Sequence, residues 1–287
     1  MPGKDITLLV LAGGLSSRYG SSKQEEAVGP AGELLLEYNL FDALQAGIRR
    51  VIIVVRDQVP VLLTERLSFF KNRMEILYVS QSACYPSDRN RPWGTGHAVL
   101  SAAALVSGSF LVVNADDLYG ADMYGKAVQH ANQVTNEQGF LLAYRLRDTL
   151  SENGEVSRGL CTVDEEGNLL KIAEYKGIAR KNGQIMSGTR ILNGSALVSM
   201  NAWLLPASVL TGFDVSFQTF SKQHGADPDV EFFLPDAVSV EMNKGLFVQV
   251  RKCDGPWCGL THPADLMQVR ETILQAVLNG KYPTKWM

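Results

Sequence analysis

The stretch "LVLAGGLSSRYGSSKQ", Leu9 to Gln24, decides how the rest of the chain is read. Leu8 to Leu11 make a short β-favouring apolar run bounded by glycines, the pattern of a strand buried on both faces in a parallel sheet. Gly13 and Gly14, serines, Arg18 and Lys23 follow directly, and no core tolerates that composition. Backbone N–H groups left accessible by glycine, hydroxyls and two cations at the end of a first strand suit a polyphosphate.

Spacing excludes two common phosphate loops. A dinucleotide fingerprint needs G-x-G-x-x-G, but Gly13 and Gly14 are adjacent and position 15 is leucine. A Walker loop needs lysine directly after a glycine five positions past the first, whereas Gly20 is six past Gly14 and precedes Ser21.

Outward from this loop, strand-like and helix-like segments alternate. A strand over Ile6–Ala12 is followed by a helix over Leu34–Ala46 capped by Gly47, a strand over Val51–Val55 and a helix over Val59–Phe70. Then come a strand over Glu75–Ser80, a helix over Thr95–Val106 and a strand over Phe110–Asn114. That order predicts a doubly wound α/β sheet with right-handed crossovers. The second half reads as antiparallel: strands over Gly139–Arg145 and Gly159–Val163, a "DEEGN" turn at Asp164–Asn168, and a strand over Leu169–Ala173. Strands at Ala196–Met200 and Leu246–Val250 and a helix over Pro263–Leu278, with Pro263 in its first turn, complete the pattern. We expect one domain over 1–287 with a mixed sheet, a second small lobe being the alternative.

Bulk properties narrow the function. The chain has 287 residues, 46% of them hydrophobic, and a net charge of −3, enough for a large core and no electrostatic footprint for nucleic acid. Cys84, Cys161, Cys253 and Cys258 are too few and scattered for a disulfide framework, and none has zinc spacing. A reduced, cytoplasmic setting fits. No basic-then-apolar leader and no membrane-length apolar run is present, so neither export nor a membrane partner is expected.

Four more stretches carry chemistry: "WGTGHAV" (Trp93–Val99), "FLVVNADDLYG" (Phe110–Gly120), "VEFFLPDAV" (Val230–Val238) and "WCGLTHPADL" (Trp257–Leu266). With Gly13, Gly14, Arg18, Gly20 and Lys23, they resemble, in order and across nearly the whole chain, the sugar-1-phosphate nucleotidylyltransferases, and most closely the stand-alone bacterial forms. The resemblance implies a three-layer α/β/α Rossmann-like fold with a mixed, mostly parallel sheet. It divides the domain into a nucleotide-binding half (about 1–135) and an acceptor-binding half (about 136–287).

The implied reaction moves a nucleoside monophosphate from a nucleoside triphosphate, UTP or dTTP favoured, to a sugar 1-phosphate, releasing pyrophosphate with Mg²⁺. The attacking phosphate oxygen is already anionic, so no general base is required, and positioning with charge neutralisation can supply catalysis. Arg18 offers a planar fork to phosphate oxygens and Lys23 a compact charge. Asp116, just past the end of an apolar strand where open α/β sheets place ligands, suits Mg²⁺. Its rival Asp117 reads better as an N-cap for the helix after Gly120.

By resemblance, Leu11, Ala12, Gly13, Gly14, Gln81, Gly94, Thr95 and Asn114 surround the nucleotide. Gln81 is expected to make a two-point amide contact with a pyrimidine edge, and Thr95 to cap its helix or touch the ligand. Gly159, Glu174, Lys176 and Asn201 match sugar-phosphate positions, with an ordinary surface pair the competing account of Glu174 and Lys176. Relatives supply a second metal ligand near the final strand, where Gly259–His262 offers only Thr261 and His262. Asp254 and Thr261 are the candidates. Two other functions remain: transfer to a non-sugar phosphate such as phosphocholine or a pterin phosphate, and a non-catalytic nucleotide-binding module. A homo-oligomer is left open.

Overall fold

The structure, a computed structural model, describes residues 5–14, 26–84, 91–225, 227 and 229–286. Arg18, Gly20 and Lys23 lie outside the described residues.

The opening run forms strand β1 (Ile6–Ala12), buried along its whole length. It lies parallel between β2 (Arg50–Val55) and β4 (Ser109–Asn114), with Val10 opposite Ile53 and Val113, and β3 (Glu75–Ser80) extends the row beyond β2. Leu8 and Val10 face one core, Leu9 and Leu11 the other. This two-sided burial is why the run does not alternate. Fully burying a side chain such as Leu8 contributes roughly 1.5–3 kcal/mol.

On the first face lie α1 (Leu35–Gln45), ended by Gly47 at φ +100°, and α6 (Ala121–His130), entered after the two-residue strand β5 (Asp117–Leu118). The helix expected over Val59–Phe70 divides into α2 (Val61–Arg66) and α3 (Ser68–Lys71). Phe70 N bonds Leu67 O at 3.0 Å, a tighter three-residue turn that brings two fully buried side chains, Leu67 and Phe70, to the same side. A four-residue α4 (Gln81–Cys84) follows β3. On the opposite face, α5 (Thr95–Ser101) ends sooner than expected, passing into a 3₁₀ turn at Ala103–Leu105.

The second half is antiparallel as expected: β6 (Gln138–Arg145), β7 (Val156–Val163) and β8 (Leu169–Lys181), then the short strands β9 (Gln184–Ser187), β10 (Arg190–Leu192), β11 (Leu197–Ser199) and β12 (Trp203–Pro206). The "DEEGN" turn joins β7 to β8, with Gly167 at φ +83° and Asp164 Oδ1 accepting from Glu166 N and Asn168 N. Strand β8 runs eight residues further than the expected end at Ala173.

β11 and β12 both pair antiparallel with β6, separated by a break at Met200–Ala202 where Asn201 takes φ +60°. β12 is thereby inserted between β4 and β6, and β11 between β6 and β7. The last long strand, β13 (Phe247–Lys252), covers the other edge of β6 in parallel. The central sheet is therefore mixed and mostly parallel, with β12 the reversed strand.

Helices α7 (Val209–His224) and α8 (Leu234–Asn243) contribute to the core that α5 faces. A second two-residue strand, β14 (Cys258–Gly259), pairs with β5. Finally α9 (Asp265–Leu278) begins two residues later than expected, because Asp265 closes a turn back to His262 through both its N–H and its carboxylate. No helix among the described residues is long and apolar enough to cross a membrane.

Candidate functional site

The two late motifs each clasp one of the early ones. The "VEFFLPDAV" segment lies along "WGTGHAV": Phe232 N donates to Trp93 O (2.6 Å) and Gly96 N to Phe232 O (2.9 Å). Gly94, at φ +100°, has the backbone of Phe232 where a Cβ would stand, so only glycine fits. "WCGLTHPADL" lies along the acidic turn in the same way. Cys258 and Gly259 pair with Leu118 and Asp117, and Leu260 N donates to Asp116 O at 3.1 Å.

At the end of β1, Gly13 is buried and Gly14 exposed. Ala115 N donates to Leu11 O (3.0 Å), which joins this end to the acidic turn. The Gln81 carboxamide lies over Gly13, its Oε1 3.0 Å from the position a Cβ would take. Its Nε2 donates to Gly94 O (3.2 Å) and faces His97 Nδ1 (3.0 Å). Burial pushes the His97 imidazole down to about 4; at neutral pH the ring is uncharged and Nδ1 accepts. Gln81 thus presents its carbonyl oxygen rather than the two-point amide edge expected from sequence. Thr95 also differs from expectation. Its hydroxyl caps a different helix, accepting the N–H of Leu234 at the start of α8 (2.9 Å).

Asn114 and Asp116, both half-buried, close β4. Asp117 is buried and is no helix cap; Gly120 occupies the N-cap of α6 without a side-chain bond. Instead Asp117 Oδ2 accepts from Asn114 Nδ2 (2.8 Å) and Tyr119 OH lies 3.4 Å from it, while Oδ1 lies against Gly259. The Tyr119 hydroxyl accepts Asn114 N (2.9 Å) and donates to Met200 O (2.7 Å), binding the turn to the break between β11 and β12.

Across that break, Asn201 Nδ2 donates to Asn114 Oδ1 (3.4 Å). Ser199, Gly159 and Glu174 form a row over β11, β7 and β8, and the Glu174 carboxylate lies 3.7 Å from the Cβ position of Gly159. Desolvation raises the Glu174 carboxyl above its ordinary value; Arg158 and Lys176 oppose the rise and Asp236 of α8 adds to it. Asn201 therefore touches Asn114, Gly159 and Glu174 follow from it across the sheet by way of Ser199, and Lys176 sits two residues beyond Glu174 on β8.

Of the two second-ligand candidates, Asp254 is held by Lys252 (2.6 Å) and Lys126 (3.7 Å), and Thr261 lines a cavity beside β14. Among the described residues no cluster of three or more histidine, cysteine or acidic side chains could hold a metal. Asp116, half-buried at the strand end, is a hard oxygen donor of the type Mg²⁺ takes, the ion accepting one or two carboxylates and completing its shell with phosphate and water.

Sequence reading missed Tyr119, Asp236 and Arg158. Tyr119 stood in a quoted motif, but its role depends on a residue 81 positions away.

Residues 8–139 match the family model described as MobA-like NTP transferase domain. No curated protein matches the sequence. Among solved structures, the chain is similar to the inositol-1-phosphate CTP transferase from T. maritima (TM-score 0.66, 17% identity, 96% of this chain and 97% of that one). It is also similar to a putative glucose-1-phosphate thymidylyltransferase from Bacillus anthracis (0.64, 13%, 93% and 95%) and to HddC from Yersinia pseudotuberculosis (0.59, 16%, 93% and 99%). At these identities the likeness is one of fold, and it extends over both halves. The glycine-ended first strand and the acidic turn both fall within residues 8–139, the segment that is similar to the MobA-like NTP transferase domain.

Proposed function

We propose that this chain transfers a nucleoside monophosphate from a pyrimidine nucleoside triphosphate, UTP or dTTP, to a sugar 1-phosphate with release of pyrophosphate. The observation that carries the reading is the Asn201–Asn114 hydrogen bond. It joins the rim of the parallel strands, where a triphosphate belongs, to the row Ser199, Gly159 and Glu174, whose polar groups suit sugar hydroxyls. Both halves then build one cleft and act as one domain.

The acceptor's phosphate oxygen is anionic and needs no base. Arg18 and Lys23 neutralise the charge that develops on the triphosphate, and Gly13 and Gly14 admit it to the backbone. Asp116 would hold a magnesium ion, which when bound offsets charge on the α-phosphate and the leaving pyrophosphate. Gln81, with its amide nitrogen committed to Gly94 and His97, offers a fixed acceptor to a base N–H. A CTP transferase and a putative thymidylyltransferase among the structural neighbours support a pyrimidine.

The test crosses a panel of triphosphates with a panel of sugar phosphates, with Mg²⁺, and measures pyrophosphate. A pyrimidine triphosphate with one sugar 1-phosphate is expected to give the highest kcat/KM. Release with none of the sugar phosphates would overturn the assignment.

A further inference from the structure

A cavity of about 70 Å³ lies between β7, β14 and the start of α9, with Arg158, Trp257, Ser151, Thr261, Asp265 and Gln268 in its wall. Arg158 is 8% exposed and Trp257 9%. The guanidinium stands over the indole at 5.0 Å. Its bonds go to uncharged acceptors: Nε and Nη2 to Thr149 O (3.2 and 2.5 Å) and Nη1 to Ser157 O (2.8 Å). One N–H on each terminal nitrogen is left over. Asp117, Glu174 and Asp265 pull on its charge from a distance. The Trp257 indole N–H is buried without a partner.

The carboxylates in the wall are already satisfied. Asp265 accepts from Ser151 Oγ (2.6 Å), Asn153 Nδ2 (2.9 Å) and His262 N (2.7 Å). Burial alone would raise its carboxyl, but these bonds together hold it below its ordinary value. Asp148, half-exposed at the rim, pairs with Arg147 at 3.7 Å. The lining residues therefore still carry donors: two guanidinium N–H groups of Arg158, the unpartnered indole N–H of Trp257 and the Thr261 hydroxyl. Leaving a desolvated donor unmatched is unfavourable, most of all where it carries charge.

We infer that this cavity binds a compact oxyanion of the phosphate class, gripped by Arg158, the Trp257 indole N–H and Thr261. Arginine's fork matches tetrahedral oxyanions two oxygens at a time. The site is regulatory in position. Gly259 in its wall pairs with Asp117, and the adjacent Leu260 N holds Asp116 O; an ion there braces the strand that fixes the acidic turn. Binding does not depend on the proposed reaction, so it can be tested separately.

Inorganic phosphate is titrated into the full chain while the tryptophan indole N–H resonances are followed by NMR, with Trp257→Phe identifying the relevant one. The Trp257 signal is expected to move to saturation, with those of Trp203 and Trp286 still. Arg158→Gln should weaken binding at least about tenfold, and Thr261→Val severalfold. A Trp257 signal that stays put, or equal phosphate affinity in wild type and Thr261→Val, overturns the site. Should Arg158→Gln fail to fold, the valine variant decides the matter.

Discussion

Asp117 lies directly opposite Gly259 across the β5–β14 ladder, and its Oδ1 fills the space from which any side chain at 259 would start. Gly259→Ala must therefore displace the carboxylate or part the two strands. A loss of about 1–3 kcal/mol is expected, with a fall in turnover because Leu260 N, the next residue, holds Asp116 O. Thermal unfolding and pyrophosphate release measure the two effects; an alanine variant that matches wild type in both removes this account of the turn.

Asn201 combines a left-handed backbone with its bond to Asn114. Asn201→Gly keeps the backbone and deletes the bond, whereas Asn201→Ala also strains the backbone, costing roughly 1–2 kcal/mol more. Both should raise the KM for the sugar phosphate by a similar factor while only alanine lowers the melting temperature substantially. A glycine variant with wild-type kinetics would show that the amide bridge is dispensable.

Asp116→Asn and Lys23→Ala should each lower kcat by about 10²–10³-fold or more and leave the far-UV circular dichroism unchanged. For Asp116→Asn the magnesium concentration needed for half-maximal residual rate should rise. Near-normal turnover in either variant removes the charge-neutralisation mechanism.

Glu37 is buried in α1, and desolvation lifts its carboxyl to about 7 despite its bond from Leu34 N and the nearby Arg66. The fold favours the protonated form, so this group's stabilisation is present at low pH and is lost as pH climbs from about 4.5 through about 7, by up to about 3 kcal/mol. Glu37→Gln retains the capping partner for Leu34 and should flatten the stability profile between about pH 5 and about pH 8. Urea denaturation across that range checks it; a profile as steep as wild type's points to other groups.

Elements whose contacts are local were legible in the sequence. The ends of β1 and β3 were read to the residue, since a β-favouring apolar run bounded by glycine or polar residues identifies itself, whether fully buried as in β1 or half-buried as in β3. The break in Val59–Phe70 was hidden because Leu67 and Phe70 also fit a continuous helical period. Short strands such as β12 were missed: four apolar residues carry no periodicity, and their place between β4 and β6 is a tertiary fact. At the site, the family resemblance pointed to Asn114, Glu174 and Asn201, but not to what holds them. The turning of Gln81 towards His97, and the seat of Asp117 against Gly259, depend on partners 16 and 142 positions away.

During synthesis the outer edge of β4 stays bare until Trp203–Pro206 has left the ribosome, because β12 is the strand that covers it. A fragment truncated near residue 135, which would hold most of the matched transferase segment, would display Phe110–Val113 as an unpaired apolar edge, the kind of surface that seeds aggregation. Expressed by itself such a fragment should be insoluble, and the insertion of β12 makes the two halves of the chain obligate companions from the moment of translation.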